Sequence, residues 1–162
     1  MSEAIFKILF VCMGNSCRSP TAEAVFSKKL DDRDILHKFK IDSAGTHNFH
    51  PGVPPDERTQ AYALKRGYDL SNLRARPVAE RDFEEFDLLL TMDWDNRALL
   101  EESCPASYLY KIRGLAEFLQ TSQASVIPDP YDGGDKGFED MLDLIEEASE
   151  GLLKFSLHKV NG

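Results

Sequence analysis

Residues 5–20 read IFKILFVCMGNSCRSP, an apolar run followed by a polar loop and a proline. The run from Ile5 to Cys12 is typical of a strand that is buried on both faces of a sheet. A helix over about 19–30 should follow, because Pro20 suits a first helical turn, where no backbone donor is needed. The sequence therefore predicts a loop that joins the carboxyl end of a buried strand to the amino terminus of a helix.

The same alternation continues along the rest of the chain. Strand–helix alternation predicts an α/β fold, in which a doubly wound parallel sheet is covered by helices on both faces. A chain of 162 residues is the size of one domain, so we expect a single domain over residues 1–162. Further strands are predicted at about 39–44, 86–92 and 108–112, and further helices at about 56–66, 93–102, 115–119 and 137–157.

The composition argues against several classes of function. The formal net charge of −9 does not suit a general nucleic-acid binder, which needs a basic surface. No apolar run approaches the ~20 residues that cross a membrane, and the first residues lack the pattern of a secretory signal. Three cysteines, a low and odd number, predict a reducing compartment and a cytoplasmic location. The scattered histidines do not predict a structural zinc site.

The loop after the first predicted strand is a candidate anion site. Ligands in such folds bind beyond the carboxyl ends of the strands, which is where this strand delivers Cys12. Backbone N–H groups at a helix N-terminus are unsatisfied and the helix dipole adds positive potential, so a phosphate-sized anion fits there. Gly14 is expected to take a backbone conformation that a side chain would resist, and Asn15 to tolerate the left-handed region. The predicted phosphate-binding residues are Met13, Gly14, Asn15, Ser16, Cys17 and Arg18.

Cys12, at the mouth of this loop, is the predicted nucleophile. The N–H groups that attract a phosphate would also stabilise a thiolate, and the Ser19 hydroxyl can donate a hydrogen bond to the sulfur. Arg18 follows six residues after Cys12, and its planar guanidinium can hold two phosphate oxygens at once. This spacing also arises by chance, for example from a buried cysteine and a surface arginine. Its position between a buried strand and a helix favours a local positive site in an acidic protein.

A proton donor is predicted near the other end of the chain. Residues 127–134 read IPDPYDGG, a turn-rich loop before the last predicted helix. Prolines on both sides of Asp129 restrict the backbone and favour a fixed position for its carboxyl group. Asp132 is the rival carboxylate, and the segment alone is also consistent with a plain turn that carries a solvated acid. Asp129 is the candidate general acid and base.

Together, these two motifs closely resemble the low-molecular-weight protein tyrosine phosphatases. The resemblance extends through Asp42-Ser43-Ala44-Gly45-Thr46, Met92-Asp93 and Gly137-Phe138-Glu139-Asp140, and it covers nearly the whole chain. It implies a four-stranded, doubly wound parallel sheet. It also implies hydrolysis of phosphotyrosine through a phosphocysteine intermediate, without a metal or an organic cofactor. The expected partners are tyrosine-phosphorylated proteins or peptides, with phosphate and vanadate as active-site anions.

Carried over by position, the resemblance assigns roles to individual residues. Cys12 resembles the family's nucleophile, Arg18 its phosphate-binding arginine and Asp129 its general acid. Cys17 matches a second loop cysteine that, in some members, forms a reversible bond with the nucleophile under oxidation and shields it. The residues that resemble the family's loop supports are Asn15, Ser19 and Ser43.

Two positions depart from the family pattern. Leu73 stands where the family usually has a histidine that helps to hold the loop asparagine, which leaves the bracing of Asn15 open. Phe49 stands where many members have tryptophan. Phe49 and Tyr131 are expected to form opposite walls of the substrate crevice, and a slot between two rings favours an aryl phosphate.

Two other functions fit parts of the pattern. Arsenate reductases of the thioredoxin-linked type resemble the same scaffold, but they pass oxidation to two close downstream cysteines, and only Cys104 lies downstream here. A module that binds phosphotyrosine without hydrolysing it needs neither a nucleophile at Cys12 nor an acid at Asp129. Hydrolysis of an aryl phosphate is therefore the preferred interpretation.

Overall fold

A sheet of four parallel strands, in the order β2-β1-β3-β4, forms the centre of the protein. The computed structural model describes residues 5–161, except for the side chains of Asp132 and Asn161. The arrangement confirms the predicted α/β class and the four-stranded parallel sheet. The strands are β1 (Phe6–Cys12), β2 (Phe39–Gly45), β3 (Leu88–Thr91) and β4 (Ile112–Gly114).

Helices follow the strands and pack on the two faces of the sheet. The α-helices of the described residues are α1 (Arg18–Asp32), α2 (Glu57–Lys65), α3 (Glu80–Glu85), α4 (Trp94–Ser103) and α5 (Gly134–Asn161). Short 3-10 helices cover Leu36–Lys38, Ala106–Lys111, Leu115–Phe118 and Pro130–Gly133. Within residues 5–161, none of these helices combines the length and the apolar character that a membrane span requires.

The central strand β1 is buried on both of its faces. Ile8 and Phe10 belong to the core cluster that α1 and α5 complete, whereas Leu9 and Val11 belong to the cluster that α3 and α4 complete. All four side chains are fully buried, and each stabilises the fold by about 1.5–3 kcal/mol on leaving water. Burial on both faces explains the continuous apolar run, and it fixes the position of the strand end that carries Cys12.

The fourth strand differs from the prediction. Residues 106–111 form a 3-10 helix rather than a strand, and pairing with β3 begins only at Ile112. The buried ammonium group of Lys111 donates to the carbonyl oxygens of Phe83 at 2.7 Å and of Glu84 at 3.1 Å. These bonds turn the segment toward the end of α3, a six-residue helix that no sequence pattern predicted.

The end of β2 supports the loop that follows β1. Gly45 pairs with Cys12 in the strand register. A Cβ atom at Gly45 would lie 2.8 Å from the carbonyl oxygen of Met13 and 3.1 Å from the backbone nitrogen of Asn15. Because these neighbours are backbone atoms, they cannot move aside as a flexible side chain can. The missing side chain at Gly45 therefore lets the loop pack directly on β2.

Gly45→Ala is expected to lower the free energy of unfolding by about 1–3 kcal/mol, because the added methyl group overpacks against fixed backbone. Urea unfolding measures the change. Gly133→Ala is the matched control, since a Cβ atom there would meet no atom within 4 Å. The control should stay within about 0.5 kcal/mol of the wild type. Equal stability of Gly45→Ala and the wild type would contradict the close contact.

Candidate active site

The loop after β1 opens into a cavity of about 200 Å³ at the carboxyl edge of the sheet. Three distant segments contribute to its lining: the loop itself, residues 49–50 and residues 129–131. A larger groove of about 630 Å³ lies beside α3 and α4, but neither a cysteine nor an arginine lines it. Within residues 5–161, His, Cys, Asp and Glu side chains form no group of three or more that could hold a metal ion.

The backbone N–H groups of the loop have no backbone acceptor among the described residues. In the part of the chain that the structure describes, the N–H groups of residues 13–17 donate to no backbone carbonyl oxygen. Helix α1 begins at Arg18, and no side chain of the described residues caps its N-terminus. Cys12 is 3% exposed, and its Sγ lies 3.0 Å from the Oγ of Ser19. The thiol therefore lines the same cavity as a loop whose N–H groups are available as donors and which ends at the positive end of a helix dipole.

Asn15 holds the shape of the loop. Its φ of 54° lies in the left-handed region, as the sequence predicts for this residue type. Its Oδ1 accepts a hydrogen bond of 3.0 Å from the backbone N–H of Arg76. Its Nδ2 donates to the hydroxyl groups of Ser19 at 2.9 Å and Ser43 at 3.0 Å. These three bonds satisfy the amide without any contribution from Leu73, whose side chain packs against the hydrophobic core.

The expectation for Gly14 is wrong. Gly14 does not have a positive φ, and a Cβ atom there would lie 3.6 Å from Phe49 and Ser16, an ordinary contact distance. The left-handed conformation belongs to Asn15, and the close approach of backbone occurs at Gly45. The residue with the left-handed conformation is therefore the one after Gly14, and the position that must lack a side chain lies on the neighbouring strand β2.

Arg18 is buried and held on one side only. Its Nη1 donates to the Oδ2 of Asp93 at 2.6 Å and to the carbonyl oxygen of Ile127 at 2.9 Å. Among the described residues, its Nε and Nη2 atoms donate to no protein acceptor. The guanidinium group is therefore fixed in orientation and keeps two parallel donors for an oxyanion.

Sequence reasoning did not find the contact between Asp93 and Arg18. Asp93 follows β3, the strand that pairs with β1, so both residues reach the same edge of the sheet. Its Oδ1 accepts the N–H of Asn96 at 2.8 Å and caps α4, while its Oδ2 accepts from Arg18. The adjacent carboxyl ends of parallel strands were the signal that could have identified it.

The segment with the predicted acid lies at the mouth of the cavity. Asp129 is exposed and lines the cavity, and its Oδ1 accepts the backbone N–H of Tyr131 at 3.0 Å. Pro130 is buried, and a Cβ atom at Gly137 would lie 2.7 Å from its carbonyl oxygen. Close packing against α5 therefore fixes the loop. The side chain of the rival, Asp132, lies outside the described part of the structure.

The two aromatic side chains that the sequence assigns to the substrate crevice, Phe49 and Tyr131, both line the cavity. Phe49 is 55% exposed and stacks on His47, with ring centroids 4.8 Å apart. Tyr131 is 47% exposed and meets Phe138 edge-on at 6.3 Å. Partial burial raises the pKa of Tyr131 to about 12, and the charge of Asp56 acts in the same direction. His50 also lines the cavity, and its position beside Phe49 in the sequence was the only signal for it.

The second loop cysteine is held as a neutral thiol. The Sγ of Cys17 lies 2.7 Å from the hydroxyl oxygen of Thr59, which in turn donates to Asp56 at 3.2 Å. Burial raises the pKa of Cys17 to about 12, and the charges of Cys12 and Asp56 act in the same direction. Its bond with Thr59 opposes this shift but does not outweigh burial.

Glu23, a further residue that sequence reasoning missed, lies behind the loop. Its carboxylate accepts a hydrogen bond of 2.7 Å from the hydroxyl group of Ser43. Burial raises the pKa of Glu23 from 4.5 to about 7, and the nearby Asp42 adds to the shift. The bond from Ser43 and the charge of Arg76 act in the opposite direction. Its spacing on α1 resembles that of any surface glutamate, so only the fold reveals it.

This shift makes the stability of the protein depend on pH. Between pH 4.5 and about 7, the unfolded chain has lost the Glu23 proton while the folded chain retains it. The protonated carboxyl group of Glu23 therefore makes its full contribution to the free energy of unfolding below pH 4.5. This contribution is lost as pH rises through about 7. Glu23→Gln should have a higher melting temperature than the wild type at pH 8 and nearly the same one at pH 4.5. Thermal unfolding over this range measures the difference, and a pH-independent difference would contradict the shift.

Comparison with known proteins agrees with this arrangement. The family model described as low molecular weight phosphotyrosine protein phosphatase matches residues 7–161. A low molecular weight phosphotyrosine protein phosphatase from Gallus gallus is 42% identical over 153 residues, which cover 91% of this chain and 93% of the relative. A protein tyrosine phosphatase from Entamoeba histolytica, crystallised with Hepes in the active site, matches with a TM-score of 0.90 and 41% identity over 95% of this chain and 99% of that one. YfkJ from Bacillus subtilis matches with a TM-score of 0.90 and 35% identity over 98% of both chains. The chain therefore belongs to the low molecular weight phosphotyrosine protein phosphatase family.

Proposed function

We propose that this chain, as a single phosphotyrosine phosphatase domain over residues 1–162, hydrolyses phosphotyrosine and related aryl phosphates through a phosphocysteine on Cys12. The observation that supports this most is one cavity that is lined by Cys12, by a loop whose N–H groups have no backbone acceptor among the described residues, and by Arg18 with two unused donors. Such a loop suits a tetrahedral dianion. The substrates would be tyrosine-phosphorylated proteins or peptides, and phosphate and vanadate would occupy the same loop.

Binding uses the loop and the two rings. The N–H groups of residues 13–17 hold the phosphate oxygens, and Nε and Nη2 of Arg18 hold two of them as a pair. Asp93 keeps the guanidinium plane in place, so that no reorientation is needed when the substrate arrives. Phe49 and Tyr131 flank the leaving group, which favours a flat aromatic ester over a short aliphatic one.

In the first step, the Sγ of Cys12 attacks phosphorus in line with the ester oxygen. The Ser19 hydroxyl, at 3.0 Å, donates to the thiolate before attack. Arg18 stays on the equatorial oxygens as charge moves from sulfur toward the leaving group. Asp129 protonates the departing phenolic oxygen, so that tyrosine leaves as a neutral alcohol. The products of this step are phosphocysteine and ionised Asp129.

In the second step, a water molecule takes the place of the departed tyrosine. Asp129, now a carboxylate, accepts a proton from this water as the water oxygen attacks phosphorus. The P–S bond breaks, Cys12 returns to the thiolate, and phosphate leaves the loop. Because Asp129 must begin protonated and Cys12 ionised, we expect a mildly acidic pH optimum.

The second loop cysteine suggests protection against oxidation. Cys12 and Cys17 are both free thiols and line the same cavity. We propose that a peroxide oxidises the Cys12 thiolate to a sulfenic acid, and that the Cys17 thiol then condenses with it to a reversible disulfide with release of water, which prevents oxidation to sulfinic acid. The low and odd number of cysteines supports a cytoplasmic location.

Cys12→Ser is expected to reduce the turnover of an aryl phosphate to about 10⁻³ of the wild-type value or less, because a hydroxyl group is a poor nucleophile without a base. A spectrophotometric assay with and without vanadate measures it. Cys104→Ser is the matched control, since Cys104 packs at the edge of the other core cluster, donates to the carbonyl oxygen of Pro105, and does not line the cavity, so that turnover should stay normal. Near-normal activity of Cys12→Ser would refute the proposed nucleophile. Phosphoserine peptides should be poor substrates beside phosphotyrosine peptides.

Asp129→Ala should slow the release of the leaving group more than the hydrolysis of the intermediate. Stopped-flow measurement with an aryl phosphate is therefore expected to show a small or absent burst of phenol. The substitution should reduce the turnover of an ester of a very acidic phenol less than that of an ester of an ordinary phenol, because a very acidic phenol leaves without protonation. A full burst with ordinary substrates would assign the proton to another group.

A further inference from the structure

The direction of every hydrogen bond behind the loop can be deduced. The N–H of Arg76 donates to Asn15 Oδ1 and fixes the amide, so both protons of Nδ2 point to Ser19 and Ser43. Each serine accepts one of these protons and has one proton of its own to donate. Ser43 donates to Glu23 at 2.7 Å. Ser19 lies 3.0 Å from the sulfur of Cys12, whereas its other acceptor, the carbonyl oxygen of Ala44, lies at 3.5 Å.

The side-chain amide of Asn15 is therefore the common start of two hydrogen-bond chains, each of which ends at an acidic group. One branch runs from Asn15 through Ser19 to Cys12, and the other runs from Asn15 through Ser43 to Glu23. An ionised Glu23 polarises Ser43 and draws on one Asn15 proton, which weakens the donor available to the other branch. Its negative charge also repels an anion in the loop. The hydrogen bonds and the charge thus act in the same direction.

Few cations balance Glu23. The titratable groups around it come from three directions: β2, the segment after α2 and its own helix. Asp42 and Arg76 act on the carboxylate with opposite signs. Leu73, beside Glu23 in a surface groove of about 410 Å³, adds no charge. The other titratable side chains of this groove are Lys28, Asp31, Tyr68 and Asp69.

We propose that Glu23 couples the binding of a tetrahedral dianion in the Cys12–Arg18 loop to the uptake of a proton from solvent. A dianion in the loop favours the neutral form of Glu23, and neutral Glu23 in turn favours the dianion, as linkage requires. This inference rests on the proposed use of the loop as an oxyanion site. It makes Glu23 a positioning residue that acts through Asn15, without contact to the substrate. Because burial raises the pKa of Glu23 to about 7, the exchange takes place near neutral pH.

Sulfate is the probe for this proposal, because it keeps two charges throughout the range from pH 5.5 to pH 8. Titration calorimetry at pH 7, in two buffers with different ionisation enthalpies, counts the protons taken up when sulfate binds. The wild type should take up a larger fraction of a proton than Glu23→Gln. At pH 8, the variant should bind sulfate about fivefold more tightly than the wild type, and at pH 5.5 the two should bind equally.

Two further variants separate coupling from structure. Asp31→Asn removes an exposed carboxylate from the same helix and groove, outside the hydrogen-bond chain, and should match the wild type. Glu23→Ala removes the acceptor as well as the charge, and it should lose the proton uptake as Glu23→Gln does. If both Glu23 variants take up as many protons as the wild type, the proposal is wrong.

The outcomes also distinguish this proposal from the proposed function. A wild-type enzyme that hydrolyses aryl phosphates, with proton uptake unchanged in the Glu23 variants, overturns only the coupling. Proton uptake that depends on Glu23, in a protein without hydrolytic activity, supports the coupling and refutes the phosphatase. If sulfate does not bind to the wild type at pH 5.5, the loop is not an oxyanion site and both proposals fail.

Discussion

The side-chain amide of Asn15 is the interaction on which the site depends. Asn15 occupies the left-handed region, an unusual conformation for a residue with a side chain, and its three hydrogen bonds hold it there. With this residue fixed, the backbone of the loop around it is held in one shape. The amide also determines the direction of the bonds that reach Cys12 and Glu23. The shape of the loop and its electrostatics therefore have the same origin.

A protein with a net charge of −9 can still hold an anion, because the positive potential is local. It comes from backbone N–H groups, the end of α1 and one buried arginine. Asp93 neutralises part of Arg18, yet it leaves two donors unused. The cost of burying the guanidinium is offset by Asp93 and the carbonyl oxygen of Ile127, while its unused side keeps a fixed direction toward the cavity.

The parallel sheet explains why distant residues meet. Each strand ends at the same edge, so the loop after β1, the turn after β2 and Asp93 after β3 become neighbours. Gly45 allows the closest approach between two of them. The acid loop comes from another direction and is held by packing between Pro130 and α5. Tertiary packing thus brings together the loop after β1, which is held on the sheet, and the loop with Asp129, which is held against α5.

The sequence by itself determined the class of fold, the strand–loop–helix unit and the identity of Cys12, Arg18 and Asp129 as candidates. Those features have local causes. A strand that is buried on both faces needs a continuous apolar run, and a first helical turn accepts a proline such as Pro20. The tertiary structure alone decided which groups support them. In the sequence, Glu23 looks like an ordinary surface acid, Asp93 like the first residue of a helix and Gly45 like a strand end. Their roles arise from contacts between residues far apart in the chain, and no local pattern records such contacts.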